Sequence, residues 1–187
     1  MARMRRVLTI AGAALVAAAL VLLFFYVQAP PATPVGAGDM APDFEAPGLP
    51  GEASGHVGAM RGSPALLVFF DGRWPNTVTT LREIERLHRE HFKRGLRAMG
   101  VLLDDVDSPK VPDTGDLALT FHVVHDRGGR ISSAKWGRPD GVMVYLLSPS
   151  GRVEAVFGED AHWRTEVHRR VDALLPPEKP SATASPH

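Results

Sequence analysis

Side chains able to bind or react gather in two regions of this chain. Asp71, Arg73, Asn76 and Thr77 lie in one short stretch together with Trp74, and Asp126, Arg138 and Asp140 fall in later loops. Brought to one edge, an Asp–Arg pair can bind a carboxylate or a peptide end; left in water, the same residues make ordinary surface pairs. Thr77 would need a base within hydrogen-bond reach to act as a nucleophile. As a helix N-cap it would instead satisfy orphan N–H groups, and that is the expected role. Trp74 is either an exposed aromatic anchor of the kind that dominates interfaces or a ring tucked onto the helix N-terminus. The chain has no cysteine. Disulfides, thiolate metal ligands and thiol catalysis are therefore excluded.

The 8 histidines do not combine into a metal site by spacing. His88 and His91 stand at i and i+3 of a helix and could in principle clamp a metal, but they flank an apolar stripe among charged neighbours. His122 and His125 are an odd number of residues apart on a strand and point to opposite faces. His162 and His168 share no helix face, and His56 and His187 fall in segments read as flexible. No catalytic residue, metal or cofactor is expected. A formal net charge of zero gives no field for a nucleic-acid partner.

The elements that must position these residues follow from the hydrophobic pattern. Ala65 to Phe70 is an apolar run that reads as a buried strand, Asp71 to Asn76 a loop, and the stretch from Thr77 to about Arg94 a helix. Leu81, Ile84, Leu87 or His88, and Phe92 form its buried stripe, with Glu85–Arg89 and Arg86–Glu90 as i,i+4 pairs on the outer face. Leu96 to Leu103 is a second strand, which completes a βαβ unit. Gly48 to Gly62 reads as a loop, Asp116 to Thr120 as a short helix, His122 to His125 as a strand and Ile131 to Gly137 as a helix. Val142 to Leu147 and Arg152 to Phe157 form a hairpin around Ser148-Pro149-Ser150-Gly151. Ala161 to Leu175 closes the domain with Trp163, Val167, Val171 and Leu174 on one face.

Residues 1–6 carry Arg3, Arg5 and Arg6 ahead of Val7 to Val27, an uncharged apolar span long enough to cross a bilayer. The positive-inside rule keeps the N-terminus in the cytoplasm. A cleaved signal peptide with Val27-Gln28-Ala29 near its end is the rival reading, and the uncleaved anchor is preferred because the span is longer than a signal peptide needs. Residues 28–37, rich in Pro, Ala and Gly, read as a tether, residues 38–175 as one domain, and residues 176–187 as a disordered tail.

The order of strand, Trp-bearing loop, amphipathic helix, Arg94-Gly95-Leu96, strand and acidic pair Asp104-Asp105 resembles membrane-tethered thioredoxin-like proteins. These are redoxins of the AhpC/TSA type, TlpA-type thiol-disulfide proteins and Sco-type proteins. Gly38-Asp39-Met40-Ala41-Pro42-Asp43-Phe44 is similar to their G-x-x-A-P-x-F opening, and Asp126-Arg127-Gly128-Gly129 to their strand-end Asp-x-x-Gly. The resemblance implies a thioredoxin-like α/β fold, a central mixed sheet flanked by helices, on one transmembrane helix. Its loop cysteines would fall at Pro75 and Val78 after Trp74, at Thr77 with a one-residue gap, or at Trp74 and Val78 in Sco spacing. Its cis-proline loop would be Asp140-Gly141-Val142, with Val142 at the proline and Asp140 at the Sco histidine; the bond before Val142 is expected to be trans.

The expected function is a non-catalytic protein-binding or assembly module on the outer face of the cytoplasmic membrane. Its binding edge would be drawn from Asp71, Arg73, Asp126 and Arg138 beside the degenerate loop Trp74, Pro75, Asn76, Thr77 and Val78, and its partner would be an envelope protein. The alternative is an accessory of envelope thiol-redox or copper and cytochrome assembly that binds metal through non-thiol ligands.

Overall fold

A computed structural model of the chain describes residues 34–107, 109–113, 118–137, 139–158 and 162–177. The expected membrane span at residues 7–27, most of the tether and all but the first two residues of the tail lie outside these. The chain divides into two units, Met1–Pro31 and Ala32–His187, and every described residue belongs to the second. Among the described residues no helix is long and apolar enough to cross a membrane.

The strands are β1 (Glu45–Ala46), β2 (Gly55–His56), β3 (Ala65–Phe70), β4 (Arg97–Leu102), β5 (His122–His125), β6 (Met143–Leu147) and β7 (Val153–Phe157); the α-helices are α1 (Thr77–His91), α2 (Arg130–Trp136) and α3 (Trp163–Leu174). β1 and β2 form a two-stranded sheet, and the others a five-stranded sheet in the order β5-β4-β3-β6-β7. β3 is parallel to β4, and β4 to β5. β6 is antiparallel to both β3 and β7.

β3 explains why its sequence is apolar at every position. Leu66, Val68 and Phe70 point to one face, where Leu81, Ile84 and Leu87 of α1 and Val167 and Val171 of α3 cover them. Ala65, Leu67 and Phe69 point to the other, against Phe44, Met60, Trp136 and Tyr145. A central strand buried on both faces has no polar register to show. Phe69 sits in an aromatic cluster, with ring centroids 6.2 Å from Phe44, 5.4 Å from Trp136 and 5.6 Å from Tyr145. The Trp136 indole N–H donates to the Pro42 carbonyl at 3.1 Å, so the Ala41-Pro42 opening is tied to α2.

The structure departs from the sequence reading at several places. The stretch expected as a Gly48–Gly62 loop contains β2 and a 3₁₀ turn, Val57–Met60, whose Val57 and Met60 are buried. Phe92, expected in the buried stripe, is 53% exposed. The α-helix ends at His91, and Phe92–Arg94 is a 3₁₀ turn. The tighter winding swings the ring outward beneath the guanidinium of Arg97, 6.0 Å from its centroid.

Glu85, expected on the outer face, is fully buried and paired with Arg89. Arg86 pairs with Glu83 rather than with Glu90. His88 and His91, expected to flank the apolar stripe among charged neighbours, are both buried. Of the expected helix at Asp116–Thr120, the described residues 118–120 are not helical. Val35, expected in the tether, is buried, and its N–H bonds to the Trp136 carbonyl at 3.3 Å.

Candidate functional site

The site forms where β3 and β4 end side by side and the chain leaves both for loops. Asp71 follows β3 directly and is 3% exposed. Its carboxylate accepts the Arg73 backbone N–H and Nε–H at Oδ1, each at 2.9 Å, and the Arg73 Nη2–H at Oδ2, 2.5 Å away. The turn therefore closes on itself, with the guanidinium held in a two-point fork. The hydrogen bond from Arg73 holds the Asp71 carboxyl below the usual carboxylate range. Because the folded value is lowered, the pair's contribution is present at neutral pH and is lost only as pH falls below the ordinary carboxylate value toward the lowered one.

The helix after this turn does not begin as expected. Asn76, with φ of 63°, holds the N-cap position, and its side chain makes no capping bond. Asn is among the few residues that enter the left-handed region at modest cost. Thr77 is the first residue of α1, buried, and its hydroxyl donates to the Asp71 carbonyl at 2.8 Å. The hydroxyl is thus committed to the turn.

Trp74 is half-buried and packs against both hydrophobic clusters, so part of its ring is structural and part remains at the surface. Pro75 and Asn76 are exposed, and Val78 is half-buried. On the other side of the opening, Val142 is buried in the core, and no peptide bond among the described residues is cis. Asp140 is exposed and Gly141 half-buried. Arg138 lies outside the described residues.

Between these pieces is a cavity of about 240 Å³. Asp71, Arg73 and Trp74 line it from the first loop, Leu103 and Asp105 from the end of β4, and Gly128, Gly129, Ser133 and Pro139 complete the wall. Asp105 is anchored by Arg127, Nε to Oδ1 at 2.8 Å, and that hydrogen bond lowers its carboxyl below the ordinary range. Gly128 and Gly129 have φ of 63° and 67°. A β-carbon at Gly129 would lie 3.3 Å from the Ser133 hydroxyl, so a side chain there would crowd the wall.

Asp126 does not line this cavity. It is 1% exposed, and its carboxylate accepts the backbone N–H groups of Ile131 at 2.9 Å and Ser132 at 2.6 Å. It caps α2. Asp126→Ala strands both donors and is expected to cost about 2 kcal/mol, read as a lower urea midpoint at unchanged m-value.

The sequence brought out Asp71, Arg73 and Trp74 of this wall. Leu103, Ser133 and Pro139 carried no signal in residue type, and Asp105 only a weak one through its place after the second strand. Among the described residues no group of three or more His, Asp and Glu is placed to hold a metal ion. His122 lies 3.5 Å from Glu52 and His125 2.9 Å from Asp104, each an isolated pair.

A mixed five-stranded sheet with a βαβ start, a β6–β7 hairpin and a site at the first strand–helix loop defines a thioredoxin-like domain, here with no thiol in that loop. The sequence model of the AhpC/TSA family matches residues 37–147, more than half of the chain. The chain belongs to that family.

Solved structures with the same fold include a Chlorobium tepidum protein assigned as thiol:disulfide interchange protein DsbE, 20% identical, with TM-score 0.63 and coverage of 75% of this chain and 98% of that one. A secreted Mycobacterium tuberculosis disulfide oxidoreductase homologous to E. coli DsbE is 19% identical, with TM-score 0.55 and coverage of 70% and 96%. The peroxidoxin BcpB of Mycobacterium tuberculosis is 15% identical, with TM-score 0.56 and coverage of 75% and 96%. No protein of curated function matches the chain.

Proposed function

We propose that this chain is a membrane-tethered, cysteine-less redoxin-like protein that carries out no thiol chemistry and binds a protein partner in the cell envelope. The observation that carries the reading is a thioredoxin-like fold with a cavity at its first strand–helix loop, in a chain with no cysteine. Disulfide exchange and thiol-based peroxide reduction both need a thiolate nucleophile, and none exists here. What remains at the opening is a recognition surface. The Asp71–Arg73 fork fixes a guanidinium at the rim, Trp74 offers part of its ring, and Asp105 and Ser133 offer polar groups opposite. Aromatic and Arg side chains held in place in this way dominate protein interfaces.

The envelope location is supported by the uncharged span at residues 7–27 with arginines before it. The Asp140-Gly141-Val142 loop lies at the same edge in this reading and supplies backbone rather than chemistry.

The purified full-length protein is expected to reduce neither insulin disulfides with dithiothreitol nor hydrogen peroxide above the buffer rate. Reproducible turnover by pure protein would overturn the non-catalytic reading.

A further inference from the structure

Away from the candidate site, α1 buries a carboxylate. Glu85 is 0% exposed, and the segment Ala118–Thr120 is bonded to it. Its Oε2 accepts the Thr120 backbone N–H at 2.8 Å, and its Oε1 accepts the Thr120 hydroxyl at 2.9 Å and the Arg89 guanidinium. Arg89 also donates to the Ala118 carbonyl at 2.7 Å. His88, 7% exposed, places Nδ1 at 3.1 Å from the Thr120 hydroxyl oxygen. That hydroxyl gives its hydrogen to Glu85, so it can only accept from His88, which assigns a proton to Nδ1; a second proton would go to Nε2.

We propose that Glu85, His88 and Arg89 form an acid-released latch that holds the Ala118–Phe121 segment on α1 at neutral pH and lets it go when His88 takes a second proton.

The groups facing His88 set the sign. From its own helix come Glu85 and Arg89, from β4 comes Arg97, and the rings of Phe92 and Phe121 stand edge-on at 5.4 and 6.0 Å. Glu85 is already matched by Arg89, so a charged imidazole would meet the surplus charge of Arg97 in an apolar setting. Burial accordingly lowers the His88 pKa, and the two arginines add to this against Glu85. A histidine whose folded value lies below its unfolded one stabilises fully above the unfolded value, and that contribution is lost as pH falls toward the folded value. Acidification below about pH 6.5 therefore works against the latch.

Release would bare Glu85, Leu119 and the ring of Phe121. The latch stands on its own geometry whether or not the candidate site binds a partner.

The test is hydrogen–deuterium exchange of the full-length protein, corrected for intrinsic rates, following the peptide that holds Thr120 and Phe121 with β3 as reference. The wild type is expected to lose protection in that peptide several-fold between about pH 7.5 and pH 5 while β3 stays protected. His88→Asn, which keeps a side-chain N–H donor but cannot titrate, should keep its protection at both pH values. Protection unchanged by acid in the wild type, or lost equally in His88→Asn, would overturn the proposal.

Discussion

Phe69→Ala is expected to destabilise the domain by about 4 kcal/mol, the middle of the range for a buried aromatic cut to a methyl group. Phe69 is 1% exposed and touches rings from three separate parts of the chain: Phe44 of the opening segment, Trp136 of α2 and Tyr145 of β6. The rigid sheet around it, hydrogen-bonded to β4 on one side and β6 on the other, cannot collapse into the space. The loss should appear in urea denaturation as a lower midpoint at unchanged slope. Phe92→Ala is the contrast, because a ring that is 53% exposed should cost less than about 1 kcal/mol. Equal losses in the two variants would mean that the aromatic cluster is not the keystone of that face.

Glu85→Ala is the second large effect, with an expected cost of about 3 kcal/mol. The change removes the acceptor for the Thr120 N–H, the Thr120 hydroxyl and the Arg89 guanidinium together, and leaves a void on α1. Part of the cost is moderated because Arg89 can turn to water; its side chain is 46% exposed. Glu90→Ala, five residues on with a side chain 61% exposed, should stay within about 0.5 kcal/mol of wild type. A double-mutant cycle between Glu85→Ala and Thr120→Val should show coupling of about 1 kcal/mol or more. Additive losses would mean that the buried carboxylate does not work through Thr120.

These two variants also mark how much was legible before the structure. β3, α1, β4 and the β6–β7 hairpin were plain because each is a long or strongly periodic apolar pattern, and the alternation of Leu66, Val68 and Phe70 against Leu67 and Phe69 needed only the second layer to be seen. Glu85 was not legible. Its i,i+4 partner Arg89 is the usual mark of a solvated helix face, and only a distant segment folding over it turns that face inward. Phe92 failed for the opposite reason, since its apolar type fits the stripe but a change of helical winding at His91 rotates it out.

At the site, Asp71 and Arg73 stood out by type, but the closed fork between them is a property of the turn. Thr77 looked like a cap because Thr favours that position; the left-handed Asn76 took it and left the hydroxyl for Asp71. Asp126 looked like a rim acid, yet two backbone N–H groups at the start of α2 hold it inside. Ser133 could not be found at all, because a serine on a short helix carries no pattern until the loop opposite is in place.

The measurement that bears most directly on the binding reading is site-specific photo-crosslinking of the full-length protein in its native membrane. One probe replaces Ser133 at the cavity wall, and a control replaces Arg164 on α3, which covers the opposite face of the sheet. The expected result is a single protein joined in stoichiometric yield from position 133, absent from position 164, and lost when Arg73→Glu or Trp74→Ala is added to a chain that still folds. The same proteins captured from both positions, or a partner retained when both Arg73 and Trp74 are changed, would contradict the binding reading.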